Sequence, residues 1–358
     1  MELHNALTRA ASAVVLAVLL GSMPGARAAT VLDLYSVTVV PDATVADRRA
    51  AALQAAMTRL LIRVTGSRNV ALDPATQTLI AAPDAYLTSY GVDRQGRAVT
   101  EFSRSQVERA LTTLGVPVWG AERPLTLLWV AVDDGAGGHA LLGANDATEP
   151  GASLTSTVTT MLAAVRTEIA AVADERGLPI ALPFLDPQDT SALTFTDVWM
   201  GFEQPILAAS MRYRADAVLI GRVRPGVLGL EVDWLFVSGA ERQALPLGIV
   251  RDGLDTAADR YAAELSTVGA ASLTAMTVRN VQTSADYARV MSYLERQSVL
   301  ERVDVASFVG GTLDLRLTAR GDARVLGRVL ALGGVLRPAD SGLSGPLTFE
   351  VVASGSAP

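Results

Sequence analysis

The chain has 358 residues, of which 50% are hydrophobic, and its formal net charge at pH 7 is −7. This length suits two or three domains, and a net acidic chain does not favour a nucleic-acid partner, whose phosphates require a basic face. The sequence contains no cysteine and no lysine, which excludes disulfides, thiolate metal sites and lysine-dependent catalysis.

The first 28 residues have the pattern of an export signal. Arg9 precedes the apolar run AASAVVLAVLL (10–20), and the small-residue stretch GSMPGARAA follows. The run is too short to cross a bilayer, for which about 20 residues are needed. The small residues at Ala26 and Ala28 suit signal peptidase, so residues 1–28 are predicted to be a signal peptide cleaved near Ala28. The mature protein is expected in the periplasm or outside the cell, with no transmembrane helix.

The first predicted unit, residues 29–120, is an α/β module. A strand is expected over 32–40, and Thr44 with Asp47 three residues later predicts the start of a helix. Apolar residues at helical spacing continue this helix to Thr65-Gly66, with Arg63 on its surface. A short helix over 74–82, a hairpin over 86–103 and a helix over 104–115 complete the unit.

The second unit, residues 121–269, is predicted to be a mixed-sheet domain. PLTLLWVAV (124–132) is a continuous apolar run typical of a strand buried on both faces. A glycine-rich segment over 133–153, a loop or a linker, precedes an amphipathic helix that stops at Gly177. A strand over 178–184 and a helix over 196–213, interrupted at Pro205, lead to three strands and a closing helix. This order is similar to that of the amino-terminal domain of the translocation protein TolB.

The third unit, residues 270–352, is predicted to be a ferredoxin-like module. Thr283 and Asp286 form a second capping-box pattern after a strand, and two alternating segments flank Gly310-Gly311 as a hairpin. A helix over 322–332 and one last strand give the order β-α-β-β-α-β. Residues 353–358 are expected to be a disordered tail. The predicted fold class is therefore α/β, of the α+β type, with two to three small modules.

Few catalytic arrangements fit these residues. The one histidine after the signal peptide, His139, lies in the glycine-rich segment and is interpreted as an exposed loop residue. No segment has the spacing of a zinc site, a calcium-binding loop or a cofactor-binding loop, so neither a metal nor a cofactor is expected. A calcium site built from carboxylates alone stays open, although Asp133-Asp134-Gly135 is more simply interpreted as a solvated turn.

One pair of carboxylates could support glycoside hydrolysis. Asp197 and Glu203 occur in FTDVWMGFEQP, where Trp199 could stack on a sugar. Six residues apart on a helix, however, the two carboxylates would point in different directions. The simpler interpretation is that Asp197 or Thr196 caps a helix, Glu203 lies near the next helix start, and the aromatic side chains pack inward.

Arg212 and Arg214 offer a second candidate site. With Tyr213 they could form a small anion site, although an arginine pair before a buried strand is more often an ordinary solvated surface. Together with Trp199, these two arginines are the residues that the sequence offers for a binding surface.

Several separated segments resemble one bacterial family. They are LYSVTVVPDATVADRRAALQAAMTRLLIRVTGSRNV, GVPVWGAERPLTLLWVAVDDG, FTDVWMGFEQPILAASMRYRADAVLIGRV, SADYARVMSYLERQSVLERVDV and ALGGVL. The set is similar to domain-of-unknown-function (DUF) family 2066, whose members are exported proteins of Gram-negative bacteria. The resemblance implies an envelope location and assigns no activity.

Two functions from different classes remain open. The residue content favours a non-enzymatic binding or scaffold factor of the cell envelope, with proteins or envelope components as partners. The alternative is a carboxylate-dependent glycan hydrolase that uses Asp197 and Glu203. A small-ligand site in a cleft between the first two units is a further option. The sequence does not indicate an oligomeric state.

Overall fold

A computed structural model describes residues 29–30, 33–339 and 347–352. Within these residues the chain is a mixed α/β fold with ten α-helices, three main β-sheets and a short two-stranded ladder, which confirms the predicted α/β class. None of the helices in this part of the chain is long and apolar enough to span a membrane. The predicted signal peptide and the predicted tail lie outside the described residues.

The first unit has a three-stranded sheet packed against its longest helix. Its elements are β1 (Ala29–Thr30), β2 (Ser36–Val39), α1 (Arg48–Thr65), α2 (Pro74–Ala81), β3 (Leu87–Val92), β4 (Ala98–Phe102) and α3 (Arg104–Thr113). The sheet order is β2-β4-β3, with both neighbouring pairs antiparallel.

The start of α1 differs from the prediction. Asp47, and not Thr44, caps the helix, because its carboxylate accepts a hydrogen bond from the backbone N–H of Ala50 at 2.9 Å. Thr44 is held in an earlier turn, where its N–H and hydroxyl donate to Asp42. The predicted capping box therefore named the right segment but the wrong residue.

The central unit is a six-stranded sheet with helices on both faces. Its elements are β5 (Glu122–Arg123), β6 (Thr126–Asp133), β7 (His139–Leu141), α4 (Ser156–Arg176), β8 (Ile180–Ala181), α5 (Pro187–Ala192), α6 (Phe195–Met200), α7 (Glu203–Ser210), β9 (Ala217–Gly226), β10 (Gly229–Ser238), β11 (Glu241–Ala244) and α8 (Val250–Leu265). The sheet order is β11-β10-β9-β6-β7, with β8 also paired to β6; β5 pairs instead with β1.

Strand β6 is buried on both faces, as its apolar run predicts. Leu128 and Val130 pack into the core beneath α4 and α8, whereas Leu127 and Trp129 pack into a second core beneath α6 and α7. The glycine-rich segment after β6 returns as β7, which pairs antiparallel with β6. It is therefore a long loop of the central sheet and not a linker.

The third unit has one strand more than the prediction. Its elements are β12 (Ser272–Arg279), α9 (Ser284–Leu294), β13 (Leu300–Val309), β14 (Thr312–Ala319), α10 (Ala323–Leu332), β15 (Leu336–Pro338) and β16 (Leu347–Val351). The sheet order is β13-β14-β12-β16-β15. Strand β16 runs parallel to β12 and separates it from β15, so the sheet departs from a plain β-α-β-β-α-β arrangement.

A buried arginine joins the first and central units. Arg123 is 0% exposed and donates to five carbonyl oxygens at 2.7 to 3.1 Å. These carbonyls include Arg63 near the end of α1 and Arg176 and Gly177 at the end of α4. Because the last carbonyls of a helix lack partners within the helix and carry partial negative charge, one guanidinium satisfies two helix ends together.

Two more arginines reinforce this junction. Arg63, which the sequence placed on the surface of α1, is buried and donates to the Asp174 carboxylate at 3.0 Å and to the Ser36 carbonyl at 2.8 Å. Arg176, fully buried, binds Asp255 at 2.7 Å and the carbonyl of Gly66 at 2.6 Å. The spacing of these arginines in the sequence gives no sign of their meeting, because each comes from a different segment.

The first and third units meet at a buried carboxylate. Glu108 of α3 accepts hydrogen bonds from Tyr35 and Arg104, both at 2.8 Å, and from Arg320 of the third unit at 2.5 Å. Burial acts to raise the pKa of Glu108, but Arg104, Arg320 and Tyr35 together lower it below its ordinary value of 4.5. The central and third units in turn share one continuous hydrophobic core.

Acid should weaken the junction at Glu108. Because its pKa is lower in the folded state, the carboxylate stabilises the fold above its unfolded pKa, and this contribution is lost as the pH falls through the lowered value. When the pH is lowered from about 7 to about 3, the melting temperature of Glu108→Gln should therefore decrease less than that of the parent protein. Thermal melts followed by circular dichroism test this, with exposed Glu295→Gln as control. Equal acid sensitivity of Glu108→Gln and the parent would contradict it.

Candidate functional site

Three short helices, α5, α6 and α7, cover one side of the central sheet, and we call this side the helical face. Asp186 caps α5 and Pro187 occupies its first position, a combination that favours helix starts. Thr194 and Asp197 form a capping box on α6, which ends at Gly201 with φ of 71°. The break before α7 thus falls at Gly201 and not at Pro205, which lies in the first turn of α7, where the helix needs no N–H from it.

Large apolar side chains project from the helical face. Phe184, Met200, Phe202 and Met211 are 55%, 57%, 50% and 71% exposed. Phe184 precedes α5, Met200 and Phe202 flank the turn between α6 and α7, and Met211 follows α7. Exposed apolar side chains also occur in other parts of the described chain, and those of the helical face are candidates for an interaction surface.

Arg212 forms ion pairs with carboxylates of the helical face. Its guanidinium forms a two-pronged pair with Asp186 at 2.7 and 2.8 Å and also donates to Asp189 at 2.8 Å. This pairing lowers the pKa of the Asp186 carboxyl and raises the pKa of Arg212. Asp189, 1% exposed, also accepts a hydrogen bond from Tyr213. Two carboxylates balance the charge of Arg212, so its geometry favours a structural clamp over an open anion site.

The other residues suggested for binding are Trp199 and Arg214. Trp199 is half-buried in α6, where its ring stacks on Phe195 at 5.6 Å between centroids. Arg214 follows Tyr213 with φ of 49° and forms the turn before β9. Trp199 in α6 and Arg212 after α7 therefore lie on the helical face, whereas Arg214 ends the short turn that contains Arg212.

The two carboxylates considered for catalysis have different structural partners. Asp197 accepts from the backbone N–H of Thr194 at 2.8 Å and from its hydroxyl at 2.7 Å. Glu203, in the first turn of α7, pairs with Arg242 of β11 at 2.8 Å. Asp197 thus completes a capping box and Glu203 lies at a helix start, but the capping residue is Thr194 and not Asp197 or Thr196. Phe202, which was expected to pack inward, is 50% exposed. No contact among the described residues favours the hydrolase alternative, which stays a prediction.

Loss of the Asp197 cap should cost more than loss of the Glu203 ion pair. Asp197→Ala removes two hydrogen bonds at the helix start and should lower the free energy of unfolding by about 1 kcal/mol. Glu203→Gln removes a partly exposed ion pair, which contributes about 0.5 kcal/mol. Urea unfolding of both variants tests the order. A larger loss for Glu203→Gln would contradict this assignment.

His139 is not an exposed loop residue. It is half-buried in β7, where its ring lies 4.7 Å from that of Phe195, and its backbone pairs with Asp133 and Ser153. Nearby, the buried Glu149 carboxylate accepts from the backbone N–H of Leu141, at 3.0 Å to its closer oxygen. Burial raises the pKa of Glu149. The strand pairing and the ring contact give His139 a structural role on the edge of the helical face.

Two clefts lie at the junction of the first and central units, where the sequence suggests a small-ligand site. One, of about 460 Å³, is lined by Arg68, Arg176, Asp255 and Asp259 among others; the other, of about 390 Å³, adjoins Arg63 and Asp174. Their charged walls pair with one another. The clefts are therefore polar and largely self-compensated, and they favour no particular ligand.

No group of three histidine, aspartate or glutamate residues that could hold a metal ion occurs in the described part of the chain.

Comparison with known families matches residues 28–120 to a domain of unknown function, DUF8605. The resemblance to DUF family 2066 stated from the sequence is therefore wrong, because the matched family is a different one. Apolar strands followed by amphipathic helices occur in many unrelated α/β proteins, so segments of this kind do not identify one family. Neither the curated proteins nor the solved structures gave a match.

Proposed function

We propose that this chain is an exported, non-enzymatic binding or scaffold factor of the bacterial cell envelope, and that the helical face of its central unit binds a protein partner. The observation that carries the proposal is the set of exposed apolar side chains at Phe184, Met200, Phe202 and Met211. A surface of this kind suits protein recognition, since aromatic and methionine side chains are enriched at interfaces. The residues suggested for chemistry, Asp197 and Glu203, have partners within the fold.

The junctions between the units support a scaffold role. Arg123 satisfies the ends of α1 and α4, and Glu108 pairs with Arg320 across the first and third units. Such contacts hold the three units in one arrangement, so that a partner on the helical face would be fixed relative to the other two. A scaffold depends on such a fixed arrangement of its units and does not require a catalytic group.

We also propose that the central and third units follow two known domain plans. The central sheet, with helices on both faces, is similar in element order to the amino-terminal domain of TolB, and the third unit follows a ferredoxin-like plan with β16 inserted. Both likenesses rest on element order, and they suggest protein-binding modules by analogy.

Capture from envelope extracts tests the binding proposal. The purified mature chain should retain a partner after crosslinking, and the double variant Phe202→Glu with Met211→Glu should lose it, because charges on the face disfavour apolar contact. Leu228→Glu, in the fully exposed turn between β9 and β10, is the matched control and should retain the partner. Equal capture by both variants, or recovery of the chain alone, would overturn the proposal.

Export is tested separately. Fractionation of cells that express the full chain should place it in the periplasm or the medium, and sequencing of the mature amino terminus should begin near Ala29. Retention of residues 1–28 on a cytoplasmic product would contradict the export proposal without affecting the binding test.

A further inference from the structure

The sheet of the third unit ends in an exposed edge strand, β13. Among the described strands β13 pairs only with β14, so its other edge has no strand beside it. It spans Leu300–Val309, and the apolar side chains of Val305, Phe308 and Val309 are 44%, 51% and 74% exposed. Unpaired N–H and C=O groups along such an edge can pair with another strand.

The other edges with exposed side chains are less suited to pairing. Strand β11, at the end of the central sheet, is only four residues long, and all four are exposed residues of the sequence ERQA. Strand β3, at the edge of the first sheet, has six residues and contains Gly91, which weakens a strand interior. Among these edges β13 combines the greatest length with exposed β-branched side chains.

Strand β13 has a regular stretch in its middle that is bounded by irregularities on both sides. Its register with β14 shifts between Leu300 and Arg302 and again between Val305 and Ser307. Between these shifts, Arg302, Val303, Asp304 and Val305 pair regularly with β14. A neighbouring strand can pair in good geometry along such a stretch, because bulges interrupt the ladder. Ser307, Phe308 and Val309 form a second, shorter stretch beside the hairpin turn.

The charges of the middle stretch are complementary to those of the same stretch in a second copy of the chain. Side chains alternate between the faces of a strand, so Arg302 and Asp304 lie on one face and Val303 and Val305 on the other. If the same strand of a second copy pairs antiparallel with Val303 opposite Val303, Arg302 of each strand lies opposite Asp304 of the other. Centring the copy on Asp304 would instead place that carboxylate opposite itself, and like charges directly opposite are destabilising.

We propose that the chain forms a two-fold symmetric dimer through β13, in which Val303 faces Val303 of the second copy and Arg302 faces Asp304 of the second copy. The two sheets then become one continuous sheet. Within a single chain Arg302 already donates to Asp304 at 2.9 Å, so the dimer joins two such pairs into a network of four charges. A symmetric interface requires a self-complementary surface, and this stretch provides one.

Charge exchange tests the register. Size-exclusion chromatography with light scattering over a dilution series should show the mature chain as a dimer. Arg302→Asp and Asp304→Arg should each weaken dimerisation by about tenfold or more, because each places like charges opposite one another. Mixing the two single variants should restore a heterodimer, since aspartates then face arginines across the interface. Arg337→Asp, on an exposed residue of β15, is the matched control and should leave dimerisation unchanged.

The mixing step distinguishes contacts between copies from contacts within one chain. A change that acted only within a chain would not be rescued by a second variant with the opposite charge. A monomer at every concentration would overturn the proposal. So would a dimer that both single variants leave intact, or a mixture that fails to associate.

A single cysteine gives an independent test, because the native chain has none. Val303→Cys should form a disulfide-linked dimer under mild oxidation, since the residue on the two-fold axis faces its own copy at a Cβ separation of about 4.5 to 5.5 Å. Leu273→Cys, on the exposed part of β12, should stay uncrosslinked. Crosslinking of both variants alike would contradict the proposed register.

Discussion

Replacing Arg123 with methionine is expected to lower the free energy of unfolding by about 3 to 5 kcal/mol. Methionine keeps most of the apolar stem but removes five donated hydrogen bonds. It leaves the carbonyls of Arg63, Arg176 and Gly177 buried without that donor, and each unsatisfied buried acceptor costs about 1 to 3 kcal/mol. Urea unfolding followed by circular dichroism measures the loss.

Two further variants separate charge from geometry at this position. Burial, with smaller contributions from Arg63 and Arg176, lowers the pKa of Arg123 to about 9, so the guanidinium stays charged at neutral pH. Arg123→Lys keeps a positive charge but cannot reach two helix ends with a planar fork, and it should be nearly as damaging as methionine. Arg94→Met, at an exposed arginine in the β3–β4 turn, should change stability by less than about 0.5 kcal/mol. If Arg123→Met also changed the free energy of unfolding by less than about 0.5 kcal/mol, the junction would not depend on Arg123.

Local patterns in the sequence predicted most of the elements. The apolar run of β6 correctly predicts burial on both faces. Thr283 and Asp286 form the predicted capping box, and Gly310-Gly311 forms the predicted hairpin turn. These predictions succeed because each depends on residues close together in the chain, whose hydrogen bonds and periodicity do not need tertiary contacts.

Contacts between distant segments explain the failures. Arg63 has the spacing of a surface residue on α1, but the approach of α4 buries it against Asp174. Helix α5 was missed although Asp186-Pro187 is a recognisable start signal. Strand β16 enters the third sheet beside β12, a position that alternation of side chains cannot specify. For the candidate site, the sequence named Trp199, Arg212 and Arg214 but not the carboxylates of Asp186 and Asp189 that hold Arg212.

The other large effect is expected at Gly66, where α1 ends against the central unit. Gly66 has φ of 68°, and a Cβ there would lie 2.5 Å from Cβ of Ala262 and 2.6 Å from Cε3 of Trp119. Gly66→Ala should therefore combine backbone strain of about 1 to 2 kcal/mol with overpacking of about 1 to 3 kcal/mol. The variant should unfold at clearly lower urea concentration than the parent protein.

Gly115 supplies a matched control, because its φ is also 68° but a Cβ there would meet no atom within 4 Å. Gly115→Ala should show the strain alone, so the difference between the two variants isolates the cost of separating α1 from Trp119 and α8. A difference of about 1 kcal/mol or more in urea unfolding is expected. Equal losses of unfolding free energy in the two variants would mean that the first unit does not pack closely on α8. The buried arginines Arg63, Arg123 and Arg176 would then hold the two units together without close packing at Gly66. A clear difference would show that packing and buried hydrogen bonds act together at one junction, as the rigid scaffold proposed for this chain requires.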